Sequence, residues 1–243
     1  MLIQYILQAR VNSSRFYGKV LKKIKGETIL ESCIKRTQKS EYCQNLFIVT
    51  SNSKLDDDIF NLSKKLKVKC IRGDENNVLS RFKKVQHITK SEYTVRLTSD
   101  SPLNDIQTLD ACIKKIINNK KIDYVSTILR NNNPIGIHSE VFKSNILFEL
   151  DENNKIFSEH VTPGIYNQKK YLSMHVSSKL PYPNCRLTLD FPDDFYFLKE
   201  LSSLTKKKLS SITQDELINI LSKNNYLCSI NLMHLKNRKI KNV

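Results

Sequence analysis

The chain opens with residues 2–19, LIQYILQARVNSSRFYGK, in which an apolar run passes directly into a polar, basic loop. The run, residues 2–9, is typical of a buried strand at the start of a parallel sheet. The loop carries Arg10, Arg15 and Lys19 but a single glycine, so it is neither a Walker A loop nor a dinucleotide-binding loop. Arginine forks, a lysine and turn amides can together surround a polyphosphate. We therefore favour an anion-binding loop over a solvated basic loop.

Strand-like and helix-like segments alternate downstream of this run. Buried strands are predicted at 46–50, 68–71, 93–98 and 124–128, and apolar residues at helical spacing predict helices over 28–38, 55–66, 78–85 and 106–117. This alternation indicates βαβ units and an α/β fold, with a Rossmann-like, mostly parallel sheet and helices on both faces. Ligands of such sheets bind beyond the carboxyl ends of the strands, which is where the basic loop leaves the first strand.

The alternation stops after residue 128. The remaining predicted elements are a loop at 130–140, a short helix at 143–150, strands at 171–177 and 186–190, a helix that begins at Thr213, and a solvated basic tail at 235–243. The helix start is supported by Thr213 and Glu216, which have the spacing of a capping box. We interpret the stretch at about 130–185 as an insertion into a single domain that spans residues 1–243.

The chain of 243 residues has a strong excess of positive charge, with 40 Lys and Arg against 24 Asp and Glu, or +16. Nucleic acid, an acidic membrane surface or an anionic small molecule could each account for it. The lysines are dispersed and mixed with asparagine, which argues against a dedicated nucleic-acid surface. No apolar run of about 18 residues occurs, so we expect no membrane partner and a cytoplasmic protein. The six cysteines are scattered singly, which favours buried free thiols over a metal or redox motif.

Two aspartates lie where predicted strands end. Asp100 follows the strand at 93–98, and Asp190 ends the strand predicted at 186–190. Two such carboxylates facing a basic loop could hold an Mg²⁺ ion that bridges a triphosphate, because Mg²⁺ binds to one or two carboxylates together with phosphate oxygens and water. The alternative is that each aspartate only caps a helix, and the spacing does not decide whether the two converge.

Five segments carry a resemblance to a known family. They are, in chain order, QARVNSSRFYGKVL, GDENNVLSRF, RLTSDSPL, SEHVTPGIYN and RLTLDFPDD. In order and spacing they resemble the acylneuraminate cytidylyltransferase family, above all its short spore-coat-polysaccharide branch, and the sister 3-deoxy-manno-octulosonate cytidylyltransferases. The resemblance runs from about residue 2 to about residue 200. It implies a fold of the nucleotide-diphospho-sugar transferase type with an inserted acceptor and dimerisation segment. The implied activity is transfer of CMP from CTP to an anionic acceptor, with release of pyrophosphate.

The resemblance also assigns roles to individual residues. Those implied to bind the nucleotide are Gln8, Ala9, Arg10, Ser13, Arg15, Lys19, Arg72, Gly73, Ser80, Arg81 and Arg96. Those implied to be catalytic are Arg10, Lys19, Asp100 and Asp190, and the two aspartates would hold Mg²⁺. Those implied to face the acceptor are His138, Glu140, Glu159 and His160. The implied partners are CTP, a sugar acid or small phosphorylated metabolite, and a second copy of the chain, and the implied role is surface-polysaccharide biosynthesis.

One departure and several alternatives remain at this stage. His138 stands where short-branch relatives carry an aspartate, so it is either an acceptor contact or a structural histidine. The same fold also serves nucleotidyltransferases that use UTP, GTP or ATP. The +16 charge keeps a basic nucleic-acid-binding protein in view, whereas a glycosyltransferase would carry a closely spaced Asp-x-Asp motif that is absent near Asp100.

Overall fold

A seven-stranded sheet runs through the computed structural model, which describes residues 1–237. The strands are β1 Ile3–Gln8, β2 Lys23–Ile24, β3 Glu27–Thr28, β4 Asn45–Ser51, β5 Lys69–Gly73, β6 Tyr93–Thr98, β7 Tyr124–Ser126, β8 Glu140–Lys143 and β9 Ser173–His175. Their order in the sheet is β5-β4-β1-β6-β8-β7-β9, and β2 and β3 form a separate hairpin. Strand β8 is antiparallel to both neighbours, while the other pairs in the sheet are parallel. The predicted mostly parallel sheet is confirmed.

Helices cover both faces of this sheet. They are α1 Ile29–Thr37, α2 Asp57–Lys65, α3 Val78–Thr89, α4 Ile106–Asn118, α5 Ile146–Glu149, α6 Lys155–His160, α7 Pro163–Tyr166, α8 Pro192–Ser203 and α9 Gln214–Lys223. On one face, α1, α4, α8 and α9 bury residues such as Leu30 and Ile113 against β1 and β6. On the other face, α3 and the inserted helices bury Phe82 and Leu147 in a second core. Burial of these apolar side chains is the main contribution that holds the layers together.

The predicted elements of residues 2–126 are confirmed, because each carries its own apolar period and start signal. Thr28 accepts a hydrogen bond from the amide of Glu31 at the start of α1, and Asn77 does the same for Ser80 at the start of α3. The capping box of Thr213 is also present, with bonds in both directions between that residue and Glu216. Local signals of this kind suffice where a segment folds as one strand or helix.

Three predictions in the later part of the chain are wrong in detail. Strand β8, Glu140–Lys143, was not predicted and takes the end of the loop predicted at 130–140, whereas the short helix predicted at 143–150 is present as α5 Ile146–Glu149. The strand predicted at 171–177 is limited to Ser173–His175. Residues 186–190 form no strand; Arg186 makes one isolated bridge with Ile135. This segment is held by a contact that is remote in sequence and not by a neighbouring strand. The amide of Leu189 donates a hydrogen bond to the carbonyl of Asp100, in the loop after β6, over 2.8 Å.

The prediction of six free thiols is wrong for two cysteines. Cys185 and Cys228 form a disulfide across a sequence separation of 43 residues, with their Cα atoms 5.0 Å apart. Cys33 and Cys112 are buried free thiols as predicted, whereas the other two free cysteines are half-buried. Neither cysteine has a second cysteine close by in the sequence, so the sequence did not indicate a pair that the fold brings together.

Two further expectations concern the surface. The solvated tail predicted at 235–243 falls largely outside the described residues. Within residues 1–237, none of the helices has both the length and the apolar character that a membrane crossing requires.

Candidate active site

The basic loop after β1 is folded back on itself by backbone bonds. The carbonyl of Val11 accepts from the amides of Ser13 and Gly18, and Gly18 adopts a positive φ of 66°, which glycine takes without steric cost. The amide of Val11 donates to the buried carboxylate of Asp56 over 2.7 Å. Asp56 also accepts from the amide of Ser51 at the end of β4. This anchor was missed by sequence analysis, since an aspartate at a helix start carries no sign of a remote partner.

The loop borders a cavity of about 500 Å³ at the carboxyl ends of β1 and β6. A cavity of that size suits a nucleotide-sized ligand. The sequence-predicted residues that line it are Gln8, Ala9, Arg10, Ser13, Arg15, Lys19, Arg81, Arg96, Asp100, Glu159 and His160. The structure thus brings one basic loop, two strand ends and the end of α6 to one place, as the rule for open α/β sheets requires.

At one end of this cavity, Lys19 lies between the two predicted catalytic carboxylates. Its Nζ atom is 2.9 Å from Asp100 Oδ2 and 2.9 Å from Asp190 Oδ1, and its side chain is 8% exposed. Asp190 Oδ1 also accepts from Arg15 Nη2 over 2.7 Å. Asp100 and Asp190 therefore converge, which the sequence left open. Asp190 reaches this point from a loop and not from a strand end.

Lys19 and Asp100 shift each other's pKa. Burial lowers the pKa of Lys19, but the charges and hydrogen bonds of Asp100 and Asp190 outweigh it and raise the pKa above its usual value. Burial alone would raise the pKa of Asp100, yet the adjacent Lys19 charge, a hydrogen bond from Thr98 and the nearby His138 hold that pKa well below its usual range. Lys19 and Asp100 are therefore both charged at neutral pH.

Arg81 provides a buried cation for a ligand. Its side chain is 2% exposed and lines the cavity, and its Nε atom has no hydrogen-bond partner among the residues that the structure describes. Burial lowers the pKa of Arg81. Gly73 makes room for it, because a Cβ atom at Gly73 would lie 2.7 Å from Arg81 Cγ. A buried guanidinium with an unsatisfied donor is costly unless an anion binds there.

Arg96 is held by a buried network and not by solvent. Its guanidinium pairs with the Glu140 carboxylate, and its Nε donates to Gln8 Oε1 over 3.2 Å. Glu140 accepts in addition from the Tyr124 hydroxyl over 2.5 Å and is itself buried. Glu140, predicted to face the acceptor, thus orients Arg96 from β8. Strand β8 pairs antiparallel with β6 and sets Glu140 opposite Arg96. The sequence did not predict β8, so it did not predict this contact.

A second cavity of about 320 Å³ adjoins the first through Arg96 and Thr98. Its lining includes the predicted acceptor residues His138 and Glu140, with Ile135 and other apolar side chains on the wall. The charge of His138 contributes to the low pKa of Asp100.

The predicted acceptor residues Glu159 and His160 line the first cavity instead. A γ-turn at Val161, with a φ of 61° and a bond from the amide of Thr162 to the carbonyl of His160, ends α6 there. Glu159 Oε1 is 3.9 Å from Arg10 Nη2, so α6 reaches across to the basic loop.

Three predicted nucleotide residues lie outside the cavity lining. Arg72 bonds to Asp57 Oδ1 over 2.7 Å and to two backbone carbonyls, which fixes the start of α2. Ser80 bonds to Asn77 within the first turn of α3. Gly73 acts through the space that it leaves for Arg81. Within the segment 72–82, Arg81 is thus the residue whose charged side chain lines the cavity.

Comparisons with known proteins agree with this geometry. The cytidylyltransferase family model matches residues 4–232. The spore coat polysaccharide biosynthesis protein SpsF of Bacillus subtilis is 31% identical over 91% of this chain and 95% of its own. A 3-deoxy-manno-octulosonate cytidylyltransferase of Chlamydia trachomatis is 24% identical over 70% of this chain and 67% of its own. A solved cytidylyltransferase from Leptospira borgpetersenii shares the fold, with a TM-score of 0.87, 24% identity and coverage of 99% of both chains. The chain therefore belongs to the cytidylyltransferase family and is a CTP-dependent nucleotidyltransferase.

Proposed function

We propose that this enzyme moves CMP from CTP to an anionic acceptor, a sugar acid or a small phosphorylated metabolite, and releases pyrophosphate. The acceptor, the acylneuraminate branch of the family and a role in surface-polysaccharide biosynthesis are all part of this proposal. The observation that carries it is the convergence of Lys19 with Asp100 and Asp190, because Lys19 and Asp100 line the cation-rich first cavity and Asp190 bonds to Lys19. The relatives named for spore coat polysaccharide and for 3-deoxy-manno-octulosonate support the choice of acceptor class.

The residues of the first cavity would act by positioning and charge neutralisation. In phosphoryl and nucleotidyl transfer the attacking and leaving oxygens lie in line, and there is little covalent work for the protein to do. Arg10, Arg15 and Arg81 would bind the triphosphate oxygens, with Lys19 turning from the carboxylates to the phosphates. A phosphate or carboxylate acceptor is already anionic, so it needs no general base, whereas a hydroxyl acceptor would have to lose its proton to a nearby group such as His138.

Mg²⁺ is the proposed cofactor, and the donor set fits it. Asp100 Oδ2 and Asp190 Oδ1 already surround one cationic nitrogen at 2.9 Å each. Two carboxylates suit an ion that takes one or two of them and completes its shell with phosphate oxygens and water. When bound by Asp100 and Asp190, Mg²⁺ would supply charge neutralisation at the phosphoryl oxygens.

The second cavity is the proposed acceptor site. It shares Arg96 with the nucleotide cavity, which would place an acceptor beside the triphosphate. Because Glu140 neutralises Arg96 there, the cation facing the acceptor is His138 when protonated, and the isoleucine side chains offer an apolar wall. A small acid with one anionic group and some apolar surface fits this lining better than a highly charged compound.

The proposed assembly is a homodimer formed through the segment at about 130–185. Three of the exposed large apolar side chains, Phe148, Ile156 and Leu172, lie in that segment, and exposed apolar side chains favour association where a partner can cover them. We also propose a cytoplasmic enzyme, which meets CTP where it is made, with neither nucleic acid nor a membrane as a partner. Sedimentation of the wild type and of Leu172→Asp tests the dimer.

The proposed reaction is tested by measuring pyrophosphate release with CTP and a panel of sugar acids and phosphorylated small acids. We expect release with CTP and at least one acceptor, little release with UTP, GTP or ATP, and loss of at least 100-fold in Lys19→Ala and Asp100→Asn. Lys23→Ala, at an exposed lysine outside the cavity, is the matched control. Unchanged rates in Lys19→Ala or Asp100→Asn, or equal activity with all four triphosphates, would refute the proposal.

A further inference from the structure

Asp190 lies in a loop that lacks strand pairing, so something else must fix its carboxylate. The amides of Asp190 and Phe191 donate to Asp194 Oδ2 over 2.8 and 3.0 Å. Asp194 is 0% exposed. Two backbone donors on one buried carboxylate hold the loop rigidly at the start of α8, where acidic groups are also favoured by the helix dipole.

The Asp194 carboxylate is in turn held by a buried arginine. Arg186 Nε is 3.1 Å from Asp194 Oδ1, and Arg186 Nη2 is 3.0 Å from Asp194 Oδ2, which is a bidentate pair. The same Nη2 atom is 3.4 Å from Asp190 Oδ2. Asp190 thus faces Arg186 with one oxygen while the other faces Lys19 and Arg15. A bidentate fork fixes direction as well as charge.

The C-terminal segment, residues 225–237, packs against this network and forms hydrogen bonds with it. Asn231, 0% exposed, donates to Asp194 Oδ1 over 2.9 Å and to the carbonyl of Arg186 over 3.1 Å. His234 stacks on the Phe191 ring, with centroids 4.0 Å apart, and its Nε2 is 2.9 Å from Asp193 Oδ2. The disulfide ties this segment to the residue that precedes Arg186.

We propose that Arg186, Asp194 and Asn231 form a brace that positions Asp190, and that the C-terminal segment is thereby part of the active site. These are positioning residues, since they act on Asp190 through Arg186 and through the Asp190 amide that donates to Asp194. Outer partners of this kind set the orientation of a metal-binding or phosphate-facing carboxylate and are worth about 10–100-fold in affinity or activity when removed. The inference rests on the proposed function of Asp190.

The test compares variants of this segment with a variant of Asp190, the residue that the brace positions. Mn²⁺ binding to the full-length protein in the presence of CTP is measured by electron paramagnetic resonance for the wild type, Asp190→Asn, Asn231→Ala and Leu227→Ala. Leu227 lies in the same segment with 0% exposure and packs in the apolar core, so its truncation destabilises the segment without touching Asp194. We expect the Mn²⁺ dissociation constant to rise about 10–100-fold in Asn231→Ala and less than about twofold in Leu227→Ala.

A kinetic arm separates positioning from loss of stability. If Asn231 positions Asp190, the KM for Mg²⁺ rises and added Mg²⁺ restores part of kcat, whereas a merely unstable protein shows no such rescue. Arg186→Lys is the second variant if Asn231→Ala fails to fold, because it keeps the charge and loses the bidentate fork, and we expect the Mn²⁺ dissociation constant to rise about tenfold. Normal Mn²⁺ binding in Asn231→Ala or Arg186→Lys, together with loss in Asp190→Asn, would overturn the brace alone. Equal losses in Leu227→Ala and Asn231→Ala would also overturn it. Normal binding in Asp190→Asn would instead refute the proposed function of Asp190.

Discussion

Lys19 occupies the position between two carboxylates that a divalent cation would need, so its removal should open that position in the nucleotide-free enzyme. The change is Lys19→Met, which keeps most of the side-chain volume and removes the charge. At an effective dielectric constant of about 20, two unit charges 2.9 Å apart attract by about 6 kcal/mol. The side chain of Asp100 is 25% exposed, so solvent screening reduces the net value considerably.

If only a quarter of one such attraction survives screening, displacing the ammonium costs about 1.4 kcal/mol, which is a factor of ten in affinity. We therefore expect Lys19→Met to bind Mn²⁺ without nucleotide at least tenfold more tightly than the wild type. Addition of CTP should reverse the order, because the wild type can then move Lys19 to the phosphates while the variant has lost a phosphate ligand.

The assay is a Mn²⁺ titration followed by electron paramagnetic resonance or water-proton relaxation, with and without CTP. Lys23→Met, at an exposed lysine of the adjacent hairpin, is the matched control and should bind as the wild type does. The double variant Lys19→Met with Asp100→Asn should lose the gain, since one of the two carboxylates is then neutral. An affinity in Lys19→Met equal to or below that of the wild type, in the absence of CTP, would contradict this account of the cluster.

Three shorter predictions follow from other parts of the structure. Arg81→Met should raise the free energy of unfolding in urea by about 1–3 kcal/mol, because it removes a buried unsatisfied donor, and should abolish stabilisation by CTP; a less stable variant would contradict this. Asp100→Asn should flatten the acid limb of stability, because the low pKa of Asp100 gives stability that is complete above its unfolded pKa near 4 and is lost as pH falls through the folded pKa; equal slopes in urea unfolding from pH 7 to pH 3 would count against it. Cys228→Ser should lower the free energy of unfolding by about 4 kcal/mol, as loop closure over 43 residues implies, and reduction of the wild type by a dithiol should have a similar effect.

Much of the fold follows from local sequence signals. Strand β6 has the predicted bounds 93–98, and α4 begins where the apolar period does, because each segment packs one regular stripe or run against the sheet. Strand β8 was not foreseen, since Glu140–Lys143 is short and pairs antiparallel between two strands that are distant in sequence. The segment 186–190 looked like a strand for the opposite reason. Its residues alternate suitably, but beyond the single bridge to Ile135 its backbone amides bond to Asp100 and Asp194 and not to a ladder.

The site shows the same division between local and remote information. Arg10, Lys19 and Asp100 could be placed because they lie in the loops that follow β1 and β6, whose carboxyl ends share one edge of the sheet. The brace around Asp190 could not, since Asn231 and Asp194 are joined by a contact over 37 residues that no spacing rule describes. The only local hint was the pair of charged residues, Arg186 and Asp194, that flank Asp190 at equal distances of four residues.

The geometry of the site indicates which of the chain's positive charges can attract an anionic ligand. The ion-pair cluster that includes Lys19 holds three cations and three carboxylates, so its formal charge is zero without ligand; these are Arg15, Lys19, Arg186, Asp100, Asp190 and Asp194. Attraction for a triphosphate must therefore come from cations outside that cluster, above all the buried Arg81 and the half-exposed Arg10. Glu140 compensates Arg96, and Glu159 lies 3.9 Å from Arg10, so in the proposed function Arg81 would carry most of the small part of the +16 excess that binds the nucleotide. Lys19 would join it once its two carboxylates received Mg²⁺, which would couple binding of the nucleotide to binding of the metal.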